Sequence, residues 1–71
     1  MKYFTEEIVT TKDGKTACAI YEKASMEEAL SAYYQTMASN VINDDVIKIY
    51  ASAKNDEGGI YEEKLWDKTN K

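Results

Sequence analysis

Ser25-Met26-Glu27-Glu28-Ala29-Leu30-Ser31-Ala32-Tyr33-Tyr34-Gln35-Thr36-Met37-Ala38-Ser39-Asn40-Val41-Ile42 decides the fold, because it alone carries a helical period in a chain that otherwise reads as strand. Its opening is a capping box. The Ser25 hydroxyl accepts from the Glu28 amide while the Glu28 side chain returns to the Ser25 amide. Met26, Leu30, Tyr33, Met37 and Val41 then recur at spacings of three and four, flanked by Ala29 and Tyr34, and form one apolar stripe. Glu27, Glu28, Ser31, Gln35 and Ser39 fall on the opposite side. A helix with one apolar stripe lies on something flat, and the rest of the chain supplies a sheet.

Upstream, Lys2 to Thr11 and Thr16 to Tyr21 are rich in aromatic and β-branched residues and flank Lys12-Asp13-Gly14, which predicts a hairpin. A two-residue Asp13-Gly14 loop would put Phe4 and Ile8 on the face opposite Cys18 and Ile20. A three-residue loop with a left-handed Gly14 pairs like with like and unites them, so it is the turn expected. That assigns Phe4, Ile8, Cys18 and Ile20 to the inner face, and Tyr3, Thr5, Glu7, Val9, Ala17, Ala19 and Tyr21 to the outer. Downstream, Asn43-Asp44-Asp45 ends the helix, Asp45 to Lys54 alternates, Asn55 to Gly59 is a second turn and Ile60 to Trp66 a last strand. With Gly58 in the role of Gly14, Ile47, Ile49, Ala51, Ala53, Tyr61 and Leu65 form one inner face. The expected fold is α+β: strand, strand, helix, strand, strand, in one four-stranded, mainly antiparallel sheet with the helix on one face. An order of 2-1-3-4 satisfies the helical crossover, and other orders remain open to it. Residues 1–71 read as a single domain, with 67–71 as a frayed tail.

Seventy-one residues bury only roughly 60% of their unfolded surface, enough for a two-layer core with little room for a deep pocket. The net charge of −4 sets thirteen acids against nine bases, every base is Lys, and Arg and His are absent. Without guanidinium forks, and with an acidic balance, duplex nucleic acid is a disfavoured partner. The absence of His removes the commonest general base and metal ligand, so familiar hydrolase triads and zinc sites are excluded and no cofactor is expected. One cysteine, Cys18, cannot form an internal disulfide. It reads as a small hydrophobe facing Ile8. No apolar leader follows Met1, and no run reaches membrane-spanning length, so the expected location is the cytoplasm of a bacterial host, without membrane partners.

Asp13-Gly14-Lys15 with Ala19-Ile20-Tyr21, Glu28-Ala29-Leu30 with Met37-Ala38, and Glu57-Gly58-Gly59-Ile60-Tyr61 with Trp66 carry a resemblance over most of the chain. The pattern resembles small proteins encoded in phage and prophage regions of Gram-positive bacteria. The resemblance implies phage or mobile-element ancestry and transfers no catalytic residue.

One helix covers one side of a sheet, so function is sought on the other. The alternation puts Tyr3, Val9, Tyr21, Lys48, Tyr50, Ile60 and Trp66 on that bare face as candidate partner-binding residues. Tyr3 is expected opposite Lys23, Tyr50 opposite Lys64 and Trp66 opposite Lys48, with ammonium groups beside rings. An aromatic sheet face suits a protein partner or a second copy of the chain. Stacking of single-stranded nucleic acid is a weaker reading, because the charge opposes it. Glu6 and Glu63 interrupt the inner pattern and are the acids to consider for acid–base chemistry; no nucleophile, metal set or phosphate loop accompanies them. The function expected is a non-catalytic protein-interaction module, with a phage-encoded inhibitor of a host enzyme as the alternative.

Overall fold

Two glycine-closed hairpins flank the helix in the computed structural model, which describes residues 1–69. Strands β1 (Tyr3–Thr11) and β2 (Thr16–Lys23) precede helix α1 (Met26–Val41), and β3 (Val46–Asn55) and β4 (Ile60–Asp67) follow it. The sheet order is β2-β1-β3-β4 and every neighbouring pair is antiparallel. The fold is therefore the α+β arrangement expected from the two periods.

Each turn is the three-residue kind. Thr11 N donates to Lys15 O at 2.9 Å around Gly14 at φ 85°, and Asn55 N to Gly59 O at 2.9 Å around Gly58 at φ 88°. Both glycines occupy the left-handed region, where a Cβ would meet its own carbonyl. Cross-strand partners in the first hairpin share parity, from Tyr3 with Lys23 to Thr10 with Thr16.

At the helix start, Ser25 Oγ accepts from Glu28 N at 3.2 Å, as the capping box requires. The return bond goes to Ala24 N (3.1 Å) instead of Ser25 N. The last turn of α1 contains no basic residue. Lys68 supplies that charge from beyond β4, donating Nζ to Asn40 O (2.9 Å) and Asn43 O (2.8 Å), where the helix dipole favours a cation. Asp67, Lys68 and Thr69, expected within a frayed tail, are thus engaged: Lys68 N bonds to Ile47 O (2.8 Å) and Thr69 N to Asp67 Oδ1 (2.9 Å). The rest of that tail, 70 and 71, lies outside the described residues.

The helix lies over the two central strands, β1 and β3. Its Ala29, Tyr33 and Met37 pack on Val46, Ile49, Ala51 and Ala53, with Tyr3, Val9, Leu30 and Val41 partly buried around them. Alanines at 29, 51 and 53, all fully buried, let the backbones approach; fully burying a side chain such as Ile49 contributes about 1.5–3 kcal/mol. Met26, expected in the stripe, stays exposed at the helix start.

The first hairpin faces the opposite way from expectation. β3 presents its odd residues to the helix, and its register joins Thr5 to Ala53, Glu7 to Ala51 and Val9 to Ile49. The odd residues of β1 must therefore share that face, and Phe4, Ile8, Cys18 and Ile20 go to the bare one. Hydrophobicity misassigns the faces because the polar residues beneath the helix are satisfied by it. Thr5 Oγ1 donates to Ala29 O at 2.7 Å, and Thr36 Oγ1 donates to Glu7 Oε2.

Two bulges correct the second hairpin. A register shift between Thr10 and Thr11 leaves Ile47 as an extra residue and turns Val46 into the core. A second shift, beyond Ala53, leaves Tyr61 without an opposite residue, so Ala53 faces Glu62, Ala51 faces Lys64 and Ile49 faces Trp66. Leu65, expected inside, is consequently on the bare face opposite Tyr50. Asn55 Nδ2 donates to the Tyr61 hydroxyl at 2.8 Å, and that ring lies 6.3 Å from the Tyr3 ring.

Candidate protein-binding face

The registers place the bare side of the sheet residue by residue. One row crosses all four strands as Cys18, Ile8, Tyr50 and Leu65; the next reads Ile20, Glu6, Ser52 and Glu63; the third reads Glu22, Phe4, Lys54 and Ile60. Ile20, Leu65 and Ile60 are 61%, 58% and 54% exposed, while Phe4, Ile8 and Tyr50 are half-buried by their neighbours. The surface is an unbroken apolar band beside a polar row.

That polar row is built around a small residue. Tyr50 donates its hydroxyl to Glu63 Oε2 at 2.9 Å, and Lys54 Nζ pairs with Glu6 Oε1 at 3.0 Å. Tyr50 and Lys54 flank Ser52 along β3, while Glu6 and Glu63 flank it on the neighbouring strands. The two bonded pairs close over Ser52, which is 1% exposed although no helix covers this side. Its Oγ has no partner at hydrogen-bonding geometry among the described residues, although the hydroxyl is near enough to the Tyr50 hydroxyl to favour its ionisation. Burial, and then the bond to Glu63, hold the Tyr50 hydroxyl above its ordinary pKa of 10.0.

Both acids considered for catalysis therefore lie on the bare side and not under the helix. Each is committed to a partner, and the two stand two strands apart, about 10 Å between backbones. Among the described residues no cluster of acids and cysteine could hold a metal.

The seven candidate binding residues are divided between the two faces. Lys48, Tyr50 and Ile60 are on the bare side. Tyr3, Val9, Tyr21 and Trp66 are on the helix side, Tyr3 and Val9 packed against the core and Trp66 in a groove of about 320 Å³ with Tyr34, Met37 and Val41. Tyr21 borders a polar cleft between β2 and α1 and donates to Glu7 Oε1 at 2.9 Å, a bond that raises its own pKa. The expected pairing of Tyr3 with Lys23 is present, whereas the bulge at Tyr61 replaces the other two ammonium–ring pairings. Lys64 lies 5.4 Å from the Trp66 ring and Lys23 5.6 Å from the Tyr21 ring, each along its own strand. Phe4, Ile8, Cys18, Ile20 and Leu65 are the bare-face residues the alternation misses. Cys18 does face Ile8, but it is exposed. The parity of Ile49, Ala51 and Ala53 orients β1 and β2 only through the register that joins Thr5 to Ala53 and Val9 to Ile49, a pairing between strands far apart in the chain.

No model of a protein family, no curated protein and no solved structure matches this chain.

Proposed function

We propose that this chain is a non-catalytic protein-interaction module that presents the bare side of its sheet to a protein partner. The observation that carries this reading is the band Cys18–Ile8–Tyr50–Leu65, apolar across the whole sheet width and left uncovered among the described residues. Exposed, contiguous apolar surface with a polar border is the common signature of a protein contact. The commitment of Glu6 to Lys54 and of Glu63 to Tyr50 supports binding over acid–base chemistry. A cytoplasmic role in a bacterium carrying phage-derived genes accords with this reading.

The test compares the wild-type chain with a Tyr50→Ser, Leu65→Lys double variant in affinity capture from a bacterial host lysate. Leu65 is exposed and Tyr50 half-buried, so circular dichroism and thermal unfolding are read beside the capture to show that the variant keeps the fold. A partner held by the wild type and lost by the variant is the expected result. Equal capture by both proteins would move the binding site elsewhere.

A further inference from the structure

The two edges of the sheet differ in how they are protected. β4 is distorted by the bulge at Tyr61 and bears Glu62, Glu63, Lys64 and Asp67. β2 pairs with β1 without a register shift, and Thr16-Ala17-Cys18-Ala19-Ile20-Tyr21 contains neither a charge nor a proline. An edge strand that is regular and uncharged over six consecutive residues, with its charges Glu22 and Lys23 confined to one end, is a template for another strand, and proteins ordinarily guard such edges with bulges, charges or proline.

The direction of the free groups follows from the turn. Thr11 N bonds to Lys15 O, and an antiparallel ladder alternates, so the odd residues of β2 bond to β1. The amides and carbonyls of Thr16, Cys18, Ile20 and Glu22 therefore point away from the sheet.

We infer that β2 is a self-association edge, pairing antiparallel with β2 of a second copy about a two-fold axis at Ala19. This register uses all four outward residues: Cys18 exchanges bonds with Ile20 of the second copy, and Thr16 with Glu22. On the bare face it sets Cys18 beside Ile20 and the Thr16 hydroxyl beside the Glu22 carboxylate. On the helix face Ala19 meets Ala19 and Ala17 meets Tyr21. The like-charged pair at the ends, Lys15 with Lys23, is moderated within each copy, since Lys15 is 3.8 Å from Asp13 and Lys23 lies by the Tyr21 ring. The side chains of β2 thus complement β2 itself, which selects a second copy over an arbitrary peptide strand. The product is an eight-stranded sheet with both helices on one side. On the other side, the apolar band of each copy runs from Leu65 through Cys18 into Ile20 of its neighbour. This inference concerns the edge and stands independently of the partner proposed for the face.

Three measurements on the full chain test it. Sedimentation from micromolar to millimolar concentration should show a monomer–dimer equilibrium, abolished by Cys18→Lys with Ile20→Lys. Amide exchange at Thr16, Cys18, Ile20 and Glu22 should slow by about tenfold or more on dimerisation. Ala19→Cys in a Cys18→Ser background should oxidise to a covalent dimer, because directly opposed, non-hydrogen-bonded residues lie about 4.5 Å apart, within disulfide range. Ala17→Cys in the same background should not, its copies being offset by about 14 Å. A chain that stays monomeric, a dimer whose edge amides exchange freely, or equal cross-linking at 17 and 19 would overturn the inference. The Tyr50→Ser, Leu65→Lys variant should dimerise normally, so failure of the face and failure of the edge are distinguishable.

Discussion

Removing the hydroxyl of Ser52 should stabilise the protein. Ser52 is buried under the Tyr50–Glu63 and Lys54–Glu6 pairs, and its Oγ finds no partner at hydrogen-bonding geometry among the described residues. An unsatisfied buried polar group costs about 1–3 kcal/mol. Ser52→Ala leaves the Cβ in place and deletes only the unsatisfied atom, so a gain of about 1 kcal/mol is expected at the lower end of that range. Thr5 is the matched control on the other side of the sheet, equally buried but donating to Ala29 O at 2.7 Å. Thr5→Val keeps the shape and loses the bond, which should destabilise by about 1 kcal/mol. In a domain of this size each change moves Tm by about 4–8 °C, in opposite directions. Thermal and urea unfolding of the two variants beside the wild type reads both. If Ser52→Ala lowers Tm, the hydroxyl is bonded in solution and the account of a closed roof over an orphaned group is refuted.

Alkaline pH should destabilise the fold. The hydroxyls of Tyr33 and Tyr50 are both raised above 10.0, chiefly by burial, so the unfolded chain ionises first and binds fewer protons than the folded one. The stabilisation is complete below pH 10 and is lost as pH rises through the folded values; urea midpoints taken across that range should fall, and Tyr50→Phe should flatten the decline. Gly14→Ala and Gly58→Ala should each cost about 1–2 kcal/mol, because φ is 85° and 88° at sites with open space where a Cβ would stand. Denaturant unfolding measures this, and an unchanged midpoint would mean that the turns had adopted another form.

Local signals in this chain are reliable where the physics is local. The Ser25 cap, the stripe through Tyr33 and Met37, and both glycine turns depend on residues within a few positions of one another, and they stand where the periodicity puts them. The face assignment depends on a neighbour nearly fifty residues away. Ile8 and Ile20 look more like core than Thr5 and Glu7 do, yet β1 takes its orientation from Ile49, Ala51 and Ala53. Of the candidate binding residues, Lys48, Tyr50 and Ile60 keep their face, whereas Trp66 changes sides because one extra residue at Tyr61 inverts everything after it.

The sequence by itself determined the elements, their order along the chain and the form of the turns, because capping, period and left-handed glycines act over a few residues. The inner face of β3 through Ile49, Ala51 and Ala53 was also legible, but only the tertiary structure decided which side of β1, β2 and β4 meets the helix. Hydrogen bonds such as Thr5 to Ala29 and Thr36 to Glu7 make polar residues acceptable inside, and a bulge costs the chain one pairing while reversing a strand's faces. Neither effect leaves a mark in the hydrophobic pattern, so the bare face with its band Cys18–Ile8–Tyr50–Leu65 emerges only when the strands are paired.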